Sequence, residues 1–407
     1  MLPASGPRPA VAGTVVALGA VSFCTDVSSE MVAAVLPLYL VVGLGLSPVQ
    51  VGLLDGAQNG ATALLRLAGG HLADRWRRRK LVAGIGYAMS AAAKAALVAA
   101  DTAATSIGAA LLLDRLGKGL RTAPRDALIS LSSHPGTQGR AFGVHRAMDT
   151  AGALLGPLAA LAVLAAAPGH YPAVFVASTA FAVLGLVVLA VFVTEHPAPA
   201  RRAAAPVRAG IALLRRPGVP TLCVRVSLLG AVTIGDSFVY LILQRRLDFP
   251  LAWFPLLPLG VAAGYLMLAA PIGRLADRVG RWRTFLGGHT ALLATYLTLA
   301  VPSAAGPLVV GVIALMGFYY AATDGVLMAA AAPLFPAELR TTGLALVQTV
   351  HALTRAVGAV AFGAAWTAWG LSAALTVAAG GAVVALLAGV IGHGRDRFPR
   401  QVTGGVR

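Results

Sequence analysis

Asp26 and Glu30 stand four residues apart in an otherwise apolar run, so a helix through them puts both carboxyls on one face. Two carboxylates that close in a low-dielectric setting disfavour joint ionisation, and one is expected to hold a proton. That is the chemistry of an acid that loads and unloads a proton as its surroundings change. The bland alternative is that each carboxylate pairs with a base on a neighbouring helix and only fixes packing. Similar choices attach to other polar residues inside apolar runs. Asp236, in Gly235-Asp236-Ser237, and the i, i+4 pair Asp55 and Asn59 are candidates to line a cavity. His351 and Arg355 share a helical face, and histidine titrates near neutrality. Tyr320, with Phe318 and Tyr319 before it and Asp324 after it, suits a cationic aromatic molecule through cation–π contact, or plain packing. Arg146 and Asp149 are spaced to pair with each other, and His145 suits a hydrogen-bonded interfacial site.

The elements that must carry these residues are membrane helices. Of the 407 residues, 58% are hydrophobic and only 12% charged, against roughly 25% charged in soluble domains. Apolar stretches recur from residue 11 to residue 393, each near the ~20 residues a spanning helix needs. The predicted spans are 12–42, 48–72, 81–100, 104–122, 141–166 and 173–194, then 220–243, 254–275, 284–302, 308–331, 342–367 and 371–392. The first carries Asp26 and Glu30 and outruns a signal's apolar core, so it is expected to be helix 1. The net charge of +17 does not point to nucleic acid. Most Lys and Arg fall on alternate loops and tails, whereas Arg245 and Arg246 fall on the opposite side. That asymmetry places both termini in the cytoplasm. The remaining bases, Arg66, Lys94, Arg115, Lys118, Arg146, Arg225 and Arg355, lie inside spans, as do the acids Asp26, Glu30, Asp55, Asp114, Asp149, Asp236 and Asp324. Intramembrane charge is expensive, so such residues face a cavity or a partner.

Residues 70–75, Gly-His-Leu-Ala-Asp-Arg, end the second span, and residues 273–278, Gly-Arg-Leu-Ala-Asp-Arg, end the eighth. The repeat implies a duplicated six-helix unit: 1–194 as one bundle, 195–219 as a Pro- and Arg-rich cytoplasmic linker, 220–393 as the second bundle and 394–407 as a basic cytoplasmic tail. Duplicated bundles are how secondary transporters are built. The paired strings resemble the cytoplasmic loop motif of the major facilitator superfamily, and the likeness spans essentially the whole chain. By that resemblance Gly70, Asp74, Arg75 and Arg78, with Gly273, Asp277, Arg278 and Arg281, form a cytoplasmic gating latch. The first copy has Arg77 where the second keeps Gly280. Leu111 through Gly119 resembles the family's helix 4 motif, with Lys118 where glutamine is usual, and implies that Arg115 influences a coupling acid. Gly143, Gly152 and Gly156-Pro157 match the spacing of the antiporter branch, although its closing glycines are replaced by Ala160 and Leu161. Physically, glycines at these intervals let a facing helix approach, and Pro157 removes a backbone hydrogen bond. The strings 25–31 and 117–127 resemble a prokaryotic subgroup of drug:proton-antiporter-like members.

No nucleotide-binding loop, metal-ligand spacing or catalytic insertion is present, so neither an enzyme nor a cofactor is expected. Cys24 and Cys223 read as buried, inert thiols. The expected fold is an all-α membrane protein of twelve helices in two similar six-helix bundles. The expected function is proton-coupled antiport, exporting a small organic compound across a bacterial cytoplasmic membrane. The expected partners are a small-molecule substrate, protons and lipid, with no nucleic acid, and a monomer follows from family habit. Symport of a solute or metal chelate, or a non-transporting sensor, are the alternatives.

Overall fold

The computed structural model describes residues 13–76, 78–100, 103–133, 138–195, 212–301, 307–335 and 340–391. Side chains at 63–64, 66–76, 138–140 and 340–342 lie outside that description. So do the acidic and basic side chains of Asp74 and Arg75, most of the linker and the basic tail. Among the described residues the chain is all-helical, with no strand.

Among the described residues, twelve main helical segments follow one another. They are α1 (Gly13–Leu38), α2 (Pro48–Trp76), α3 (Arg79–Ala99), α4 (Ala104–Leu131), α5 (Gln138–Ala166), α6 (Tyr171–Phe192), α7 in two pieces (Val219–Ala231 and Asp236–Leu247), α8 (Leu256–Val279), α9 (Arg281–Ala300), α10 in two pieces (Pro307–Thr323 and Val326–Ala331), α11 (Arg340–Trp369) and α12 (Leu371–Ile391). Among the described residues, nine are long and apolar enough to cross a membrane. The exceptions are α2, α4 and α9, the more polar segments; α4 alone carries Asp114, Arg115, Lys118, Arg121, Arg125 and Asp126. Outward faces are apolar too: Val176, Val183, Leu184, Val187 and Val191 of α6 are all exposed. In water that stripe would be an unstable patch, whereas lipid accepts it without cost.

Pro37 does not stop α1. The helix runs past it and widens into a π-helical turn over Tyr39–Gly43, where the ring denies the backbone its usual i→i−4 bond. The break in α7 has a different origin. The Tyr296 hydroxyl of α9 accepts the Ile234 N–H at 3.0 Å and donates to the Val232 carbonyl at 2.9 Å. Thr233 bonds back to Leu229 at 2.9 Å. The backbone groups freed by the break are thus paired inside the protein, as a membrane interior requires. Between α8 and α9 the chain turns at Gly280, whose φ of 109° suits only a residue without a β-carbon.

By packing, the chain divides into two compact units, Met1–Ala204 with Asp236–Ala263, and Ala205–Gly235 with Gly264–Arg407. The sequence places 220–393 in one bundle; packing groups the second piece of α7 and the start of α8 with the first unit, because that piece lies against α1. Within the first unit α1 packs on α5 and α6, and α3 on α4. The α3–α4 approach rests on glycines: a β-carbon on Gly86 would lie 2.7 Å from the Gly117 carbonyl oxygen. Within the second unit α9 packs on α10 and α12, and α11 on the first piece of α7. Trp282, Phe285, Val226, Leu229, Leu327 and Val347 share its core.

Candidate functional site: a carboxyl pair in the first unit

Helix α5 reaches α1 through its glycines. A β-carbon on Gly152 would meet the Phe23 carbonyl oxygen at 2.5 Å, and one on Gly156 would meet the Glu30 β-carbon at 2.6 Å. Any larger residue would push the helices apart. The α5 backbone therefore lies directly along the stretch of α1 that carries Asp26 and Glu30. Gly143 has open space around it, so it makes no such contact.

Close approach delivers Asp149, three residues before Gly152, to Asp26. Their carboxyls hydrogen-bond to each other. Two carboxyl groups can do this only when one supplies an O–H, so the pair is able to hold a proton. The carboxyl that Asp26 touches is therefore Asp149, whereas Glu30, one turn along α1, acts on it only through its charge. Asp149 also pairs with Arg125 of α4 at 3.8 Å and with Arg146 at 3.2 Å. The Arg146 side chain is 79% exposed, so the inner contact to Arg125 is the better shielded one. His145, buried, bonds through Nε2 to the Ser22 hydroxyl at 2.8 Å, and Arg125 donates to the same hydroxyl at 3.4 Å. Ser22, Asp26, Arg125, His145 and Asp149 thus tie three helices together.

A second charged group lies between α3 and α4. Lys94, 1% exposed, is ion-paired with Asp114 and donates to the Ser29 hydroxyl at 3.4 Å. Arg121 donates to the Ser90 hydroxyl at 2.6 Å and stacks over the Tyr87 ring, 4.7 Å from its centroid. Arg115 donates to the Gln58 amide oxygen on α2 at 3.1 Å. Asn59 bends back to the Asp55 carbonyl of its own helix at 3.0 Å.

In the second unit the polar groups are fewer and meet rings. His289 donates from Nδ1 to the Phe285 carbonyl at 3.0 Å, which leaves Nε2 as an acceptor. The Nε2 atoms of His289 and His351 are buried with no hydrogen-bond partner among the described residues. Phe285 lies 4.6 Å from His289 and 6.3 Å from His351, ring to ring, and Tyr319 lies 5.5 Å from His289. Tyr319 in turn meets Tyr320 at 5.1 Å.

The family model described as Major Facilitator Superfamily matches residues 18–359. The chain belongs to the major facilitator superfamily. An uncharacterized MFS-type transporter of Methanocaldococcus jannaschii is 30% identical over 387 residues, 92% of each chain. Among solved structures, the nucleoside transporter NupG superposes with a TM-score of 0.77 at 15% identity, over 93% of this chain and 98% of that one. The peptide transporter POT superposes with a TM-score of 0.77 at 18% identity, over 96% and 97%. At such identities the likeness is one of fold.

This facilitator is a membrane transporter, and the remaining sequence candidates can be placed on it. Asp236 opens the second piece of α7, half-buried; its charge and that of Glu30 both reach the buried Tyr240. Asp324 is exposed just past the end of the first piece of α10, and its backbone N–H donates to the Tyr320 carbonyl at 2.8 Å. Arg355 is half-buried, with its charge near both histidines. In the latch motif Asp277 pairs with Arg281 at 3.2 Å, and Arg281 also donates to the Ala329 carbonyl at 2.9 Å. Arg78 is exposed at the start of α3, beside Lys80 and Glu195. The side chains of Gly70, Asp74 and Arg75 lie outside the described residues. Sequence reasoning treated Asp149 as a partner for Arg146 and passed over Gln58 and Arg125. The signal was there: Asp149 stands three residues before the first of the two packing glycines, on a face turned to α1.

Proposed function

We propose that this transporter is a proton-coupled antiporter that exports a small organic compound from the cytoplasm by alternating access, with both termini cytoplasmic and the protein working as a monomer. The observation that carries the reading is the Asp26–Asp149 carboxyl contact, an intramembrane pair able to hold one proton. A proton on this pair balances Arg125 and Lys118 differently from a bare pair, so its loss or gain changes the attraction between α1, α4 and α5. Gly152, Gly156 and Pro157 support the direction, since their spacing is that of the antiporter branch. The latch residues Asp277 and Arg281 fit a role in holding the cytoplasmic side closed.

Proteoliposomes loaded with a pH dye and given an acidic lumen test this. A transported compound is expected to trigger proton efflux with the wild type and not with Asp26→Asn or Asp149→Asn. Variants that exchange the compound and the proton as the wild type does would remove the pair from the coupling step.

A further inference from the structure

Helices α3 and α6 leave a groove of about 590 Å³ between them on the first unit, a volume within the range that ligand sites occupy. Its α3 wall is Leu81, Gly84, Ile85 and Ala88, spaced as one helical face, and its α6 wall includes Leu186 and Leu189. These walls are apolar over about 10 Å of helix. Leu81, Ile85 and Ala88 are exposed, so the groove lies open on the surface of the unit. A β-carbon on Gly84 would rest against Leu189 at 3.6 Å, an ordinary contact, and a longer side chain there would occupy the groove.

The charged part of the lining is at one end. There α3 begins and α6 finishes, at the edge of two apolar spans, and Arg78, Lys80 and Glu195 complete the wall. Glu195 caps α3: its carboxylate accepts the backbone N–H of Arg79 at 2.7 Å and of Lys80 at 3.1 Å. Lys80 donates from Nζ to the Ala190 carbonyl at 2.9 Å, which holds the ammonium at the mouth with two further hydrogens to give. Arg78 is exposed beside it. Residues 74–80 together with Glu195 hold five bases against two acids, so this end stays cationic once its acids are counted.

An apolar slot that meets cations at the edge of a membrane span fits a molecule with an anionic head and a hydrocarbon tail. Basic pockets between spanning helices suit anionic headgroups, and a phosphate accepts from a guanidinium and an ammonium alike. A soluble anion would leave the apolar walls uncovered, and a zwitterionic lipid would gain little from the cations. We infer that this groove binds an anionic glycerophospholipid, its phosphate at Arg78 and Lys80 and an acyl chain laid between α3 and α6. The site is separate from the carboxyl pair and independent of the direction of transport.

Native mass spectrometry of the full-length protein in neutral detergent, titrated with dioleoylphosphatidylglycerol or dioleoylphosphatidylcholine, tests the site. The wild type is expected to hold its first phosphatidylglycerol at least about fivefold more tightly than phosphatidylcholine. Glycerol phosphate, a headgroup without chains, is expected not to displace it. Arg78→Gln and Lys80→Gln should each weaken phosphatidylglycerol about fivefold and leave phosphatidylcholine unchanged. Gly84→Phe, which fills the groove, should weaken both lipids, as should Ile85→Trp at an already exposed position. Monodispersity on size exclusion shows that each variant is folded. Equal retention of the two lipids, displacement by glycerol phosphate, or unchanged phosphatidylglycerol binding in the folded charge variants or the folded groove variants would overturn the inference. So would a wild type that runs as a dimer and becomes a monomer with Gly84→Phe, which would assign the groove to a second copy of the chain.

Discussion

In the first unit, four helices meet through charge: Lys94 with Asp114, Arg125 with Asp149, and Asp149 with Asp26. In the second, the described side chains meet through rings and backbone. Phe285 lies tilted against His289, which meets Tyr319 edge-on, Tyr296 clamps the broken α7, and the ion pair Asp277–Arg281 is at a helix end with Asp277 67% exposed. Both units use glycine for close approach: a β-carbon on Gly358 would lie 2.5 Å from the Ala231 carbonyl oxygen, as one on Gly152 would from Phe23. The two share a packing device and differ in what it delivers. In the first unit it brings together carboxyls and bases. In the second it brings together a hydrogen-bonding and aromatic surface that carries little charge.

The contrast is broken most directly at Asp149. Asp149→Asn is expected to cut gradient-driven flux in proteoliposomes on the order of a hundredfold, in the range typical of lost proton-transfer groups. The double variant with Asp26→Asn should lose little more, because the two act as one unit. Independent, additive losses would show that the carboxyls work separately. Next in size come the glycines. Gly152→Val and Gly358→Val should each destabilise the protein by about 1–3 kcal/mol through overpacking, read as a lower unfolding temperature in detergent, whereas Gly143→Ala should not. Equal tolerance at Gly152 and Gly143 would mean that α5 does not depend on close contact with α1. A smaller effect is expected at His351. His351→Gln should change the apparent substrate affinity by less than about tenfold, as loss of one neutral hydrogen-bonding group does, and leave proton exchange per turnover unchanged. A shifted proton stoichiometry would place coupling in the second unit as well. The smallest belongs to Asp277→Asn, where an exposed i, i+4 pair is worth about 0–1 kcal/mol; a larger drop in thermal stability would reveal a buried partner for Asp277.

Much of the fold was legible beforehand. Low charge, recurrent apolar runs and the repeated Gly-x-Leu-Ala-Asp-Arg string are local properties, and they led to a helical membrane protein of twelve segments in the superfamily. Gly152 and Gly156 stand against α1 while Gly143 has open space around it; a spacing rule does not say which turn of a helix faces a neighbour. The site was less legible. Asp26 and Glu30 are visible as neighbours because i, i+4 spacing can be read along a linear chain, whereas the approach of Asp149 to Asp26 cannot.

Residue order alone settles which stretches leave water, since transfer free energy depends on composition within a span, and it settles where glycine permits close contact. Which helices meet is another matter. That Asp149 finds Asp26, that Lys94 finds Asp114, and that Arg115 finds Gln58 all depend on the rotation and depth of one helix against the next. Those are set by packing among residues far apart in the chain, and no local pattern records them.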